Sequence, residues 1–261
     1  MIIILLSALM LLSLGGCGQK DATKDESLKN IIDNGELVLG LDENFPPMGF
    51  RDETGEITGF DIDLAKEVCD RLGVELKCQP IDWDKKEDIL NAGDIDCIWN
   101  GLSVTDERRE SMLLSEPYIE NEVVFAVARN SNVKKLDDLK GKKVGVQSGS
   151  SAFDVIKETK IYDDMILMPA DDNVTLLNEL KAGEIDAVFL DSIVIYYIAR
   201  ESDDYVLLRQ SFSDEGMAVG FRKGDAALRN KIQETLSDMK ADGKLAEISE
   251  KWFGSDITIV R

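Results

Sequence analysis

The sequence predicts an α/β fold with two similar halves. From residue 28 to the end, apolar runs of strand length alternate with amphipathic helical patterns, which is typical of strand–helix–strand units. A short motif also occurs twice, as NAGDIDCIW in residues 91–99 and as KAGEIDAVF in residues 181–189. Two copies are too few for a solenoid, so the repetition indicates two related α/β lobes. With 44% hydrophobic residues, the 261-residue chain can bury a core in each lobe.

The first lobe begins with three strands and two helices. We expect strands at residues 36–41, 74–81 and 94–101, and helices at residues 62–73 and 85–93. Asp61 is predicted to cap the first helix, because a side-chain oxygen at that position accepts a free N–H. Gly73 and Gly93 are predicted to end the helices, because glycine adopts the left-handed conformation found there.

The second lobe repeats this order and is followed by a helical tail. Strands are expected at residues 142–147, 165–170 and 184–192, and helices from about Ser150 and over residues 174–183. In the tail, residues 219–254, four apolar side chains recur at helical spacing: Leu228, Ile232, Leu236 and Met239. Asp225 is predicted to cap this helix. The stripe predicts that the tail packs back on the first lobe.

Composition excludes several classes of function. Lys and Arg total 30 against 51 Asp and Glu, so the formal net charge is −21 at pH 7. A surface of this sign repels phosphate backbones, which disfavours a nucleic-acid-binding protein. The chain contains no His, which excludes Ser-His-Asp triads, Cys-His pairs and the usual His-ligated catalytic zinc. Most hydrolase mechanisms are thereby excluded.

The cysteines of the folded region do not indicate a metal site. Cys69, Cys78 and Cys97 follow no metal-ligand spacing, and Cys97 lies in an apolar run predicted as a strand. A Cys69–Cys78 disulfide is left open, because a protein outside the cell can keep one. We expect no metal and no cofactor.

The N-terminus predicts export. Residues 2–16 are uncharged and would form about 22 Å of helix, shorter than the ~30 Å core of a membrane. We therefore interpret residues 1–16 as a signal peptide. The sequence LGGC ending at Cys17 resembles the bacterial lipobox, in which the cysteine is lipidated and begins the mature protein. Residues 17–27 are polar and aperiodic, as in a flexible tether.

Polar residues follow the predicted strands at the points where they end. Asn100, Gly101 and Ser103 follow one strand, and Asp191 follows its counterpart in the repeat. Ligands of open α/β sheets bind at the carboxyl ends of the strands, so these residues are expected to face a common crevice. Asp42 and Phe45 follow the first strand and are expected there as well.

Two charged residues suggest what the crevice could bind. Thr105 is placed to cap a helix. Arg108, three residues later, would offer two parallel N–H donors to the two oxygens of a carboxylate. A solvated helix face is the alternative for Arg108. Asp191 would need a cation such as an ammonium group if it is buried. Ser150 and Ser151 lie in a small-residue turn that lacks the Lys and spacing of a P-loop, so a nucleotide is not expected.

Six sequence motifs resemble those of a known protein family. They are GFDIDLAKEV (59–68), AGDIDCIWNGLSVTDERR (92–109), SEPY (115–118), LKGKKVGVQSGSS (139–151), AGEIDAVFLD (182–191) and DGKLAEISEKWFG (242–254). Over residues 28–254 the chain resembles the family 3 extracellular solute-binding proteins of polar amino acid ABC transporters. The resemblance implies a periplasmic-binding-protein-like (type II) clamp, in which each lobe has a mostly parallel sheet flanked by helices. Lobe 1 would comprise residues 28–119 and 216–261 and lobe 2 residues 120–215, with crossings near 118–122 and 214–217.

The resemblance also implies roles for individual residues. Arg108 would bind the α-carboxylate of an amino acid, aided by backbone near Ser103 and Ser151, and Asp191 would bind its α-ammonium group. Phe45 and Trp83 match positions that stack on the ligand side chain. The remaining positions expected to line the cleft are Asp42, Asn100, Gly101 and Ser150. No catalytic residue is expected.

The implied function is that of a substrate-binding lipoprotein of an ABC importer. It would act as a monomer, anchored by Cys17 to the outer face of the cytoplasmic membrane, and deliver a polar L-amino acid to a permease and its ATPase. The side chain recognised is left open among basic, amide and sulfur-containing amino acids. Two other functions are kept: a dehydratase of cyclohexadienyl acids with Asp42 or Glu43 as the general acid, and a ligand-sensing module.

Overall fold

The computed structural model describes residues 25–198, 200 and 202–261. The predicted signal peptide, Cys17 and residues 18–24 of the predicted tether lie outside these residues. Over the part of the chain that is described, no helix is long and apolar enough to cross a membrane.

The predicted strands and helices are present, with ends that differ by a few residues. The strands are β1 (Glu36–Leu41), β2 (Asn44–Phe45), β3 (Gly49–Arg51), β4 (Ile57–Thr58), β5 (Glu75–Pro80), β6 (Cys97–Ser103), β7 (Leu113–Leu114), β8 (Ile119–Ala128), β9 (Lys143–Gln147), β10 (Ile166–Ala170), β11 (Ala187–Asp191) and β12 (Tyr205–Phe221). The helices are α1 (Ser27–Asn34), α2 (Phe60–Leu72), α3 (Lys86–Ala92), α4 (Asp106–Ser111), α5 (Ser151–Lys157), α6 (Asn173–Ala182), α7 (Ser192–Ile198), α8 (Ala226–Ala241) and α9 (Lys244–Phe253).

Two parallel sets of strands are joined by two long strands. The strand order is β10-β9-β11-β8-β12-β6-β1-β5, with β7 beside β12. We call β5, β1 and β6 with their helices the first half, and β10, β9 and β11 with theirs the second half; pairing within each set is parallel. The long strands β8 and β12 run antiparallel between them. The two segments expected to cross between lobes pair with each other, with Glu120 opposite Gly216 and Ile119 opposite Met217.

In both halves, an aspartate of the repeated motif accepts a hydrogen bond from the backbone of the neighbouring strand. The carboxylate of Asp96 accepts a hydrogen bond from the backbone N–H of Val38 at 2.8 Å. Its counterpart Asp186 accepts one from the backbone N–H of Lys143 at 3.0 Å. Each aspartate thus ties the segment before a central strand to the beginning of the neighbouring strand. The repeat therefore specifies strand register rather than ligand binding.

The tail packs on the first half, as its apolar stripe predicts. Leu228, Ile232, Leu236 and Met239 of α8 are fully buried, and α8 and α9 both contact α2. Asp225 occupies the N-cap position of α8, as predicted, but its side chain makes no cap hydrogen bond. The Asp225 carboxylate instead pairs with the Arg222 guanidinium at 2.7 Å, which draws it away from the helix N–H groups.

The second half has an aromatic core of its own. The rings of Phe125 and Phe189 lie 4.4 Å apart between centroids, and Phe212 meets Phe125 edge-on. The cysteines of the described ranges, all in the first half, are unbridged, which answers the open question of a Cys69–Cys78 disulfide.

Asp61 does not cap α2 as predicted. The helix begins at Phe60, two residues before the predicted start at residue 62, so Asp61 lies in its first turn and is fully buried. Its carboxylate accepts hydrogen bonds from the backbone N–H of Gly101 at 2.7 Å and from the Tyr118 hydroxyl at 2.9 Å. Burial raises the pKa of Asp61 to about 7, although these two hydrogen bonds act in the opposite direction. Asp61 therefore ties α2 to the end of β6.

The raised pKa of Asp61 predicts a specific pH dependence of stability. The folded protein holds a proton on Asp61 that the unfolded chain releases near pH 4, so the stabilisation falls as pH rises. The difference in unfolding free energy between the wild type and Asp61→Asn should fall by about 1.4 kcal/mol per pH unit between pH ~4 and ~7, then level off. Urea unfolding across this range measures it. The exposed Asp70→Asn on the same helix is the control, and a difference that rises with pH would contradict the assignment.

Candidate ligand-binding site

A small cavity lies between the two halves of the sheet. The side chains and backbone around it come from the carboxyl ends of strands and from the loops and helices that follow. The lining residues are Asp42, Phe45, Trp83, Asn100, Gly101, Ser103, Arg108, Gln147, Ser150, Ser151 and Asp191. The structure thus brings together all ten residues selected from the sequence. Their role in binding stays a prediction.

Strand β6 forms the floor of the cavity on the first half. Asn100 Oδ1 accepts a hydrogen bond from the backbone N–H of Asp42 at 3.0 Å, which joins the ends of β1 and β6. Gly101 has a φ of +59°, and a Cβ there would lie 2.5 Å from Cε1 of Phe45. Only glycine fits this position, because it tolerates the left-handed conformation and leaves room for the ring. The lining rings of Phe45 and Trp83 are both buried.

Arg108 is held at one end of the cavity by α4. Thr105 caps this helix by accepting the backbone N–H of Arg108 at 3.2 Å, as predicted. The Arg108 side chain is buried, which rules out the alternative of a solvated helix face. Its Nη1 donates to the carbonyl of Ser103 at 2.8 Å, and its Nη2 donates to the carbonyl of Gly149 at 3.4 Å. The guanidinium therefore touches both halves.

Asp191 lies on the second half, as the last residue of β11. Its side chain is buried, and its Oδ1 accepts a hydrogen bond from Nδ2 of Asn121 at 2.5 Å. Asn121 belongs to β8, within the segment that crosses between the halves. The carboxylate that faces the cavity is thus oriented by the crossing strand.

Cross-cavity hydrogen bonds hold the halves together. Nε2 of Gln147 donates to Oδ2 of Asp42 at 2.7 Å, and the hydroxyl of Ser151 donates to that of Ser103 at 3.0 Å. Each bond joins one residue of the first half to one of the second. The Gly149 carbonyl of the second half also accepts a hydrogen bond from Arg108 of the first half. The cleft between the halves is therefore closed.

The acidity of Asp42 is changed by its place in the cavity. Burial raises its pKa to about 6, and the nearby charges of Asp172 and Glu43 add to the effect. Hydrogen bonds from the backbone N–H of Asn44 and from Gln147 act in the opposite direction. Asp42 thus titrates closer to neutral pH than an ordinary aspartate. Glu43, the other candidate acid, does not line this cavity and pairs with Arg51 at 2.6 Å.

Three residues that act at the cleft are absent from the ten predicted ones. Gln147 ends strand β9, so the rule that selected Asn100 could have found it. Asn121 lies in a strand whose sequence carries no ligand signal. Lys86 donates to the Gly149 carbonyl but is indistinguishable in the sequence from its neighbour Lys85. Among the residues placed by the structure, no cluster of Cys, Asp and Glu could hold a metal ion.

Comparisons with known proteins agree with this architecture. Residues 37–255 match the sequence model of the bacterial extracellular solute-binding proteins, family 3. The L-cystine-binding protein TcyJ of Escherichia coli (strain K12) is 32% identical over 238 residues, covering 90% of this chain and 89% of that protein.

Solved structures give the same result. A substrate-binding protein of an ABC uptake transporter from Streptococcus pneumoniae, with bound histidine, has a TM-score of 0.86 and 37% identity, covering 90% of this chain and 98% of that one. AncCDT-1, an ancestral amino acid-binding protein and a precursor of cyclohexadienyl dehydratase, has a TM-score of 0.81 and 32% identity, covering 87% and 99%. These matches confirm the resemblance and the two-lobed α/β fold. The chain belongs to the bacterial extracellular solute-binding proteins of family 3.

Proposed function

We propose that this protein captures a free polar L-amino acid in the closed cavity and delivers it to an ABC importer. The observation that carries the proposal is the placement of Arg108 and Asp191 on the two halves around one small cavity. A guanidinium matches the two oxygens of a carboxylate, and a carboxylate matches an ammonium group. An amino acid is a zwitterion that offers both groups on one carbon atom.

Closure follows from this arrangement of charges. The two charged residues come from different halves, so one zwitterion engages both of them only when the cleft is closed. The ligand therefore binds the closed form preferentially and shifts the population toward it. Inverting a 1:99 equilibrium takes about 5.5 kcal/mol, a scale that several charge-assisted hydrogen bonds in a dry cleft approach. The closed form is the one that a permease and its ATPase would recognise.

The ligand side chain would lie among Asp42, Phe45, Trp83 and Gln147. Two aromatic rings offer stacking surfaces, and the Asp42 carboxylate and Gln147 amide offer hydrogen bonds. TcyJ binds L-cystine and the S. pneumoniae protein holds histidine, so the fold accepts different polar side chains. These contacts support a polar amino acid, with basic, amide and sulfur-containing side chains all compatible.

The cellular setting completes the proposal. A lipid anchor at Cys17 would hold the protein at the outer face of the cytoplasmic membrane. The tether would end before residue 25 rather than at the predicted residue 27, because Asp25 accepts a hydrogen bond from the backbone N–H of Ala227 and Ser27 begins α1. The protein would work there as a monomer that docks on its permease. The family, whose members are extracellular, supports this location.

A dehydratase is the alternative that one observation favours, namely the likeness to AncCDT-1. Such an enzyme needs a proton donor in the cavity, and the raised pKa of Asp42 suits that task. In the closed cleft, however, Oδ1 of Asp42 accepts a hydrogen bond from the backbone N–H of Asn44 and Oδ2 accepts one from Gln147, so both oxygens are engaged as acceptors. Binding therefore accounts for the geometry better than catalysis. A ligand-sensing module would use the same closure with a different partner.

A thermal-shift screen tests the proposed function. The twenty common amino acids, cystine and ornithine are each added to the purified protein, and the melting temperature is measured. We expect a rise with one or a few polar amino acids, because a ligand that binds only the folded state stabilises it. No rise with any of them would contradict the substrate class. Aromatic absorbance that grows in the presence of a cyclohexadienyl acid would favour the dehydratase instead.

Arg108→Ala tests the carboxylate site. The variant should lose about a hundredfold or more in affinity for the amino acid identified, because it removes charge-assisted hydrogen bonds in a buried site. Isothermal titration calorimetry measures the affinity, and circular dichroism checks that the variant is folded. The neighbouring Arg109 is exposed, so Arg109→Ala is the matched control and should bind within about twofold of the wild type. Equal affinity of the two variants would refute the role of Arg108.

A further inference from the structure

Two consecutive lysines at the beginning of the α3 helix have opposite environments. Lys85 is exposed and pairs with Asp82 at the surface. Lys86, the first residue of α3, is only 5% exposed although it carries an ammonium group. A buried lysine is costly unless other groups compensate its charge, so its surroundings call for an explanation.

The Lys86 ammonium bonds across the cleft. Its Nζ donates to the carbonyl of Gly149, in the second half, at 2.8 Å. It also donates to the carbonyl of Trp83 at 3.2 Å and lies 5.3 Å from the centroid of the Trp83 ring. The Gly149 carbonyl is the same one that Arg108 Nη2 approaches at 3.4 Å. Two cations of the first half therefore meet at one carbonyl oxygen of the second.

The contact at Gly149 is too close for any other residue. Gly149 has a φ of +68°, and a Cβ there would lie 2.8 Å from the Cα of Asp84 and 2.9 Å from its Oδ1. The turn of the second half thus lies directly against residues 83–86 of the first half. Opening the cleft would separate these surfaces and break the Lys86–Gly149 hydrogen bond.

The charge of Lys86 is not fully compensated in this closed form. Its pKa is lowered to about 8, first by burial and then by the positive charge of Arg108. The acidic groups that face it, Asp84, Glu87 and Asp154, act in the opposite direction without restoring the ordinary value. An additional negative charge near Arg108 would therefore stabilise the ammonium of Lys86 as well.

We propose that Lys86 is a positioning residue that makes closure of the cleft depend on an anionic group at the Arg108 end of the cavity. This inference rests on the proposed function, since the anion would be the α-carboxylate of the amino acid. Lys86 does not line the cavity, and it acts through Gly149 and through its charge beside Arg108. Closure brings the charges of Lys86 and Arg108 close together, and a carboxylate bound at Arg108 adds a negative charge that stabilises both.

The test compares an amino acid with its α-carboxamide, which lacks the negative charge. Affinities of the wild type, Lys86→Met and Lys85→Met are measured by calorimetry for the best amino acid from the screen and for its amide. Lys86→Met should reduce the preference for the acid over the amide by about tenfold, because a positive charge beside Arg108 is lost. Lys85→Met, the matched control at the surface, should keep the wild-type preference.

A further variant separates the charge from the hydrogen bond. Lys86→Gln keeps a donor for the Gly149 carbonyl but has no charge, and it decides the question if Lys86→Met does not fold. It should show the same reduced preference. The ranking of different amino acids should not change in either variant, because Lys86 does not reach the ligand side chain.

Three outcomes would overturn the inference. The first is that Lys86→Met or Lys86→Gln keeps the wild-type preference for the amino acid over its amide. The second is that Lys85→Met loses this preference as much as Lys86→Met does. The third is that a Lys86 variant ranks the different amino acids in another order than the wild type. Failure of this inference differs from failure of the proposed function, because in the latter case the wild type itself binds no amino acid.

Discussion

A buried charge needs an opposite charge nearby, and this requirement governs the site. Arg108 and Asp191 are both buried, line the same cavity and belong to different halves of the molecule. Water cannot solvate them well in the closed cleft, so a guest that carries both charges stabilises the closed form more than the open one. Under the proposed function, a single small zwitterion would thus couple chemical recognition to the motion of two bodies.

The rest of the structure keeps these groups in place. Asn121 orients the carboxylate of Asp191 from the crossing strand, so the site is tied to the segment about which the halves would move. Asp61 holds the backbone of Gly101, where only glycine leaves room for the Phe45 ring. Hydrogen-bonded carboxylates and amides of this kind restrict the movement of a buried site. The cavity is therefore shaped by residues that would not touch the ligand.

The sequence predicted the fold and the lining of the cavity because both follow from local patterns. Strand ends are visible in a sequence, and Asn100 and Asp191 lie where apolar runs stop. The roles of Asn121 and Lys86 depend on contacts between segments far apart in the chain, which no local pattern encodes, whereas Gln147 lies at a strand end that the same rule could have selected. The carboxylates of Asp61 and Asp225 do not cap helices, because each bonds to groups that the sequence does not place beside it: Gly101 and Tyr118 for Asp61, and Arg222 for Asp225.

The central claim is that one zwitterion bridges the two halves, and a crystal structure of the complex with the amino acid from the screen tests it most directly. The account predicts one molecule in the cavity, with its carboxylate on the Arg108 guanidinium and its ammonium group on the Asp191 carboxylate, each at about 2.7–2.9 Å. A ligand bound to one half alone, or with its charged groups directed away from these two residues, would contradict the account.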